Sequence, residues 1–153
     1  MEPLMPHITL ITGSTLGNAE DFAEYLTEKL QLAGFSTTLL HGPNLDELHL
    51  SGQWLVITST HGAGELPDNL QLLSTQIKQQ KPDLSQVYFG AIGLGDSCYD
   101  QFCGAIKKLE QQLIARGAIQ MGKKLEIDVA KYPIPEIAAE KWLIDWMAKF
   151  SSD

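Results

Sequence analysis

A chain of 153 residues, 44% hydrophobic and 20% charged, suffices for a single domain that buries roughly 70% of its unfolded surface. Its formal charge of −8 repels nucleic acid and anionic membrane surfaces and suits either solubility or encounter with a basic protein. No apolar run approaches the ~20 residues of a helical membrane span, and two cysteines without a charged-then-apolar leader point to the cytoplasm rather than an oxidising secreted setting.

The first expected strand, residues 7–12 (HITLIT), empties directly into Gly13-Ser14-Thr15-Leu16-Gly17-Asn18-Ala19-Glu20. Hydroxyls at Ser14 and Thr15, glycines at 13 and 17, and the free N–H groups of the helix that follows can surround a phosphate with donors. No lysine takes part, and a phosphate held by neutral groups points to a resident cofactor monoester. A P-loop nucleotidase is excluded because no Gly-Lys-Ser/Thr follows, and a Rossmann dinucleotide site because the loop is not G-x-G-x-x-G. The helix beyond carries Phe22, Leu26, Leu30 and Ala33 as its inner stripe, with Gly34 as its stop.

A second strand is expected over residues 35–40 and a third over 53–59. The third ends in Ser59-Thr60-His61-Gly62-Ala63-Gly64-Glu65-Leu66-Pro67-Asp68-Asn69, a loop with too little side chain to be core. Its glycines permit close backbone approach to a planar ligand edge. A phosphoacceptor receiver domain would place an aspartate where Ser59 stands. After a helix carrying Leu70, Leu73 and Ile77, a fourth strand over 87–94 leads into Gly93-Leu94-Gly95-Asp96-Ser97-Cys98-Tyr99-Asp100-Gln101-Phe102-Cys103. Tyr99, in a polar loop beside glycines, can present its ring face to a flat ligand. Cys98 and Cys103, spaced C-x4-C, match no zinc or thioredoxin pattern, and no metal is expected. The next helix has Phe102, Ile106 and Leu109 on one stripe.

The fifth strand is shared between residues 119–121 and 125–129, and a last helix spans 136–150. Its start is marked by Pro133 and Pro135, and Ile137, Trp142, Leu143, Trp146, Met147 and Phe150 are expected to cover a sheet face. Alternating strands and helices, with strands as continuously apolar as Trp54-Leu55-Val56-Ile57, predict a three-layer α/β fold: a parallel sheet with helices on both faces. Ligands of such sheets sit beyond the carboxyl ends of the strands. The three loops converge there.

GSTLGNAE, STHGAGELPDN and GLGDSCYDQFCGA resemble, in order and spacing, the three flavin-mononucleotide loops of the flavodoxin family, including the flavodoxin domains of diflavin reductases. The likeness spans nearly the whole chain, and the histidine in the second loop, FCGAI and the Pro-rich entry to a Trp-containing last helix align it with short-chain flavodoxin-like proteins. It implies one flavodoxin-like domain over 1–153 with a five-stranded sheet of order 2-1-3-4-5. It also implies FMN, its phosphate wrapped by Ser14, Thr15, Leu16, Gly17, Asn18 and Ala19. Ser59, Thr60, His61 and Gly62 would line the flavin edge. Leu94, Gly95, Asp96, Ser97, Cys98, Tyr99, Phe102 and Cys103 would wrap its other side, with Tyr99 on one ring face and His61 on the opposite face.

His61 departs from the tyrosine or tryptophan often found there: imidazole stacks over less area and can take up charge near neutral pH, which implies modest, pH-dependent affinity. The family often has an acidic residue after the fifth strand, and Glu126 and Asp128 are both open for it. The implied function is one-electron carriage between a flavodoxin reductase and a redox enzyme such as biotin synthase, by a monomer or weak dimer without catalytic residues. The alternative is an FMN-dependent NAD(P)H or quinone oxidoreductase, for whose second pocket little chain remains.

Overall fold

Four residues of unbroken burial explain the architecture. Trp54, Leu55, Val56 and Ile57 are all essentially inaccessible to solvent, although adjacent strand residues face opposite sides, so both faces of their strand are covered. The computed structural model describes residues 7–13, 18–59, 68–95, 104–128, 131 and 134–149. In chain order they form β1 (His7–Gly13), α1 (Asn18–Leu32), β2 (Ser36–His41), a 3-10 turn (Leu45–Glu47), β3 (Ser51–Ser59), α2 (Asp68–Gln80) and β4 (Gln86–Gly95). Then follow α3 (Gly104–Ala115), β5 (Ile119–Gln120), β6 (Leu125–Asp128) and α4 (Pro135–Ala148).

All strand pairs are parallel, in the order β2-β1-β3-β4-β5, with β6 also pairing β4. The expected fifth strand is therefore two short pieces along one side of β4: β5 pairs Tyr88 and Phe89, and β6 pairs Ile92 to Gly95. Between them the Met121 N–H still donates to the Phe89 carbonyl (2.7 Å), after which the chain bends away at Gly122. One sheet position is filled by an interrupted strand.

Each face has its own core. On one, Ile11, Trp54, Val56, Val87, Phe89 and Ala91 pack against Leu70, Leu73 and Ile77 of α2 and Ile106, Leu109 and Leu113 of α3. On the other, Ile8, Leu10, Leu55, Ile57, Ile92 and Leu94 meet α1 and α4. The α2 stripe is as the sequence predicts, as are Ile106 and Leu109. Phe102 and Phe150 lie outside the described residues.

Two helix assignments need correction. Ala33 lies beyond the end of α1 and is exposed, and Ala23 completes the buried stripe with Phe22, Leu26 and Leu30. Gly34, with φ of 100°, does terminate the helix. In α4 the inward stripe is Ala139, Leu143 and Trp146, with Trp142 and Met147 packed at its margin. Ile137 is 66% exposed and Ile144 62%. Two residues at 100° each put Ile137 about 200° from Ala139, on the opposite side of the helix. Glu140, Lys141 and Asp145 lie on that outer side, but Ile137 and Ile144 sit among them, and this outward apolar pair blurs the phase of the stripe.

Close backbone approach fixes α4 against the sheet. The Trp146 indole crosses Gly90 so tightly that a Cβ there would lie 2.6 Å from Nε1. Trp142 stacks on Trp146 with centroids 5.7 Å apart, and its indole N–H donates to the Lys123 carbonyl (2.8 Å). On the solvent side the Tyr25 hydroxyl of α1 donates to Glu140 Oε1 of α4 (2.6 Å). Accepting that bond, Glu140 pushes the Tyr25 phenol pKa up.

Candidate functional site

The carboxyl ends of four strands stand in register. Gly13 of β1 pairs with Thr58 of β3, Thr58 with Gly93 of β4, and Gly93 with Glu126 of β6. One step further Ser59 pairs with Leu94 and Leu94 with Ile127, and the last row joins Gly95 to Asp128. The described ends of β1, β3 and β4, at Gly13, Ser59 and Gly95, therefore lie along one sheet edge. β1 sends the chain to β2 on one side and pairs with β3 on the other, so the strand order reverses here, where open α/β sheets bind ligands.

Small residues make this edge accessible to a ligand's backbone contacts. Gly13 is pressed against α2: a Cβ on it would lie 2.2 Å from Leu70 Cδ1 and 2.3 Å from Cγ. Five residues after Gly13, α1 begins at Asn18 and runs for 15 residues, so the first-turn N–H groups, which have no intrahelical acceptor, belong to the end of the helix nearest β1's carboxyl end. Ser59 is half-buried, and the hydroxyl of fully buried Thr58 donates to the Ser59 carbonyl (2.9 Å). The Leu94 side chain belongs to the α1/α4 core, so its backbone is what reaches the edge, followed by Gly95.

Of the residues named from sequence, the structure thus brings together Ser59, Leu94, Gly95 and the backbone of Asn18 and Ala19. Ser14, Thr15, Leu16, Gly17, Thr60, His61, Gly62, Asp96, Ser97, Cys98, Tyr99, Phe102 and Cys103 lie outside the described residues. Among those described, no group of three or more His, Cys, Asp or Glu side chains is placed to hold a metal.

The two carboxylates left open by the sequence have different surroundings. Glu126 is in a lysine network: Lys124 Nζ lies 3.0 Å from Glu110 Oε1 and 3.8 Å from Glu126 Oε2, which Lys107 Nζ approaches at 3.7 Å. The two longer contacts exceed hydrogen-bond range, and among the described residues the buried Oε2 meets the two lysines by charge attraction without a hydrogen bond. Asp128 ends β6 opposite Gly95 and is 7% exposed. Among the described residues it is the carboxylate of the last paired row at that edge, two residues beyond Glu126.

Sequence reasoning missed a contact at the base of the first loop. Fully buried Thr12 pairs with His41 across β1 and β2, and its Oγ1 shares a 2.5 Å hydrogen bond with the imidazole Nδ1. The Gly42 N–H donates to the Thr12 carbonyl (2.9 Å). Only the register of two strands 29 residues apart reveals it. Elsewhere, a groove of ≈ 560 Å³ runs between α2 and α3, lined by Gln71, Ser74, Lys78, Lys108 and Gln112. Ser74 and Gln112 bond one another there, so its polar floor is already satisfied.

Residues 10–142 match the flavodoxin family. MioC of Escherichia coli strain K12 is 57% identical over 143 residues, which cover 94% of this chain and 97% of that protein. A flavodoxin from Pseudomonas aeruginosa superposes with a TM-score of 0.87 at 34% identity, covering 95% of this chain and 99% of the other. A Fusobacterium nucleatum flavodoxin bound to flavin mononucleotide shares the fold, with a TM-score of 0.75 at 15% identity and coverage of 95% and 96%. No helix among the described residues is long and apolar enough to cross a membrane.

Proposed function

The chain belongs to the flavodoxin family, and from that premise we propose that it is a cytoplasmic FMN-containing carrier of single electrons between a reductase and a redox enzyme. One observation supports this most: three strand ends and the start of a 15-residue helix open on a single sheet edge made of glycine and hydroxyl residues. That edge fits a phosphate monoester joined to a flat ring. A Cβ at Gly13 would collide with Leu70, so backbone, not side chain, meets the ligand at the mouth of β1.

In this reading Ser14, Thr15 and Asn18 donate to the phosphate with the backbone N–H groups of Leu16, Gly17 and Ala19. Ser59, Thr60, His61 and Gly62 line one edge of the ring. Leu94 to Tyr99, Phe102 and Cys103 enclose the other side, with Tyr99 stacked on one face and His61 on the opposite face. FMN supplies the redox chemistry; the protein orients it, shields it and sets its electrostatics. A net charge of −8 opposes added negative charge on the bound cofactor and lowers its reduction potential. Asp128 stands closest among the described carboxylates to where β4 delivers the third loop.

Family likeness supports a flavodoxin reductase as donor and a redox enzyme such as biotin synthase as acceptor. Titrating the apo-chain into FMN should quench flavin fluorescence at micromolar protein, and the loaded chain should take up two electrons in separable one-electron steps. Undiminished fluorescence overturns the cofactor. Steady-state NAD(P)H oxidation by the isolated chain would instead establish an enzyme.

A further inference from the structure

We propose that His41, acting through Thr12, is a positioning residue for the phosphate end of the cofactor, an inference that rests on the FMN reading above. Charge distribution sets the problem it solves. Residues 1–77 contain one lysine, Lys29, no arginine and nine acidic residues, whereas 78–153 contain ten of each sign. The entire net charge of −8 therefore resides in the half that carries the phosphate turn. A phosphate dianion placed there has no lysine or arginine from the turn or its flanking strands to hold it. Affinity has to come from neutral donors, and neutral hydrogen bonds are useful only if their geometry is set in advance.

The described residues show how the base of the turn is set. Thr12 is gripped twice by the end of β2: its carbonyl accepts from the Gly42 N–H, and its hydroxyl shares the 2.5 Å bond with His41 Nδ1. Gly42, at φ 59°, takes the left-handed conformation that turns the chain back onto Thr12. On the opposite face Gly13 is held against Leu70. The last two residues of β1 are thus held by the end of β2 beside them and by α2 on the other face, one step before residue 14. Which partner donates follows from the imidazole tautomer: an Nδ1 without hydrogen accepts from the Thr12 hydroxyl, and an Nδ1–H donates to it. An exposed imidazole with its partner fully buried is placed to orient a backbone rather than to touch the ligand.

Binding of FMN and of riboflavin, which lacks the phosphate, separates positioning from general folding. His41→Leu should weaken FMN binding about tenfold, the equivalent of one lost hydrogen bond, and leave riboflavin binding unchanged. His41→Asn, whose amide can bond Thr12 from a similar place, should restore most of the FMN affinity. Thr12→Val, nearly isosteric, should reproduce the loss from the other side, and the double variant should lose no more than either single one. Equal losses for FMN and riboflavin, or no loss for FMN, overturn the assignment. A wild-type chain that binds neither ligand overturns the FMN reading itself, and this inference with it.

Discussion

Within one strand, the interior of the sheet and its carboxyl edge follow opposite rules. β3 runs Trp54-Leu55-Val56-Ile57 through the middle and ends Thr58-Ser59; β4 passes Phe89 and Ile92 and ends Gly93-Leu94-Gly95. The interior is filled to exclusion of water, so each large side chain contributes stability through burial and lost cavity. The edge contributes backbone groups and close approach instead. Stability and binding are thereby assigned to different stretches of the same strands, and substitutions should separate them.

The largest effect belongs to the interior. Trp146→Ala removes a fully buried indole fitted across Gly90 and should cost about 3–5 kcal/mol of unfolding free energy. Urea denaturation measures it, and a loss below 1 kcal/mol would show that α4 is not anchored there. Gly13→Ala sits where the two regions meet: its methyl collides with buried Leu70, at a cost of about 1–3 kcal/mol, and should also weaken FMN. If stability falls and affinity does not, the mouth of β1 is core alone.

Tyr99→Ala addresses the binding region. It should weaken FMN by about 1–2 kcal/mol through lost stacking, and unchanged affinity in a fluorescence titration removes Tyr99 from the site. Salt should act in two directions. Reduction by a basic partner slows as ionic strength screens the acidic surface, while FMN affinity stays flat or improves, because the phosphate meets repulsion and no lysine. Affinity that falls steeply with salt would reveal a basic group at the phosphate. The smallest effect is Ile137→Gln on the solvent side of α4, expected within about 0.5 kcal/mol in either direction.

Element existence was legible for a physical reason: strands buried on both faces read as continuous apolar runs, and α1, α2 and α3 show one apolar stripe each. Phase was legible only where polar residues marked the outer face. In α4 the exposed Ile137 and Ile144 stand among the charged residues of the outer face, so Ile137 looked equivalent to Leu143. The three loops were legible because glycine, hydroxyl and aromatic residues interrupt the apolar pattern at strand ends. Thr12 and His41 carried no such signal, since a threonine closing a strand and a histidine before Gly-Pro are unremarkable until paired.

From the residues alone came the parallel α/β class, the loops that leave its strands and the likeness to flavodoxins, because burial period and loop composition are local properties of a chain. How the ends of β1, β3, β4 and β6 line up, which of Glu126 and Asp128 pairs with Gly95 in the last row, and that His41 bonds Thr12 were decided by register and crossover. Those are relations between strands far apart in sequence, and no local pattern encodes them.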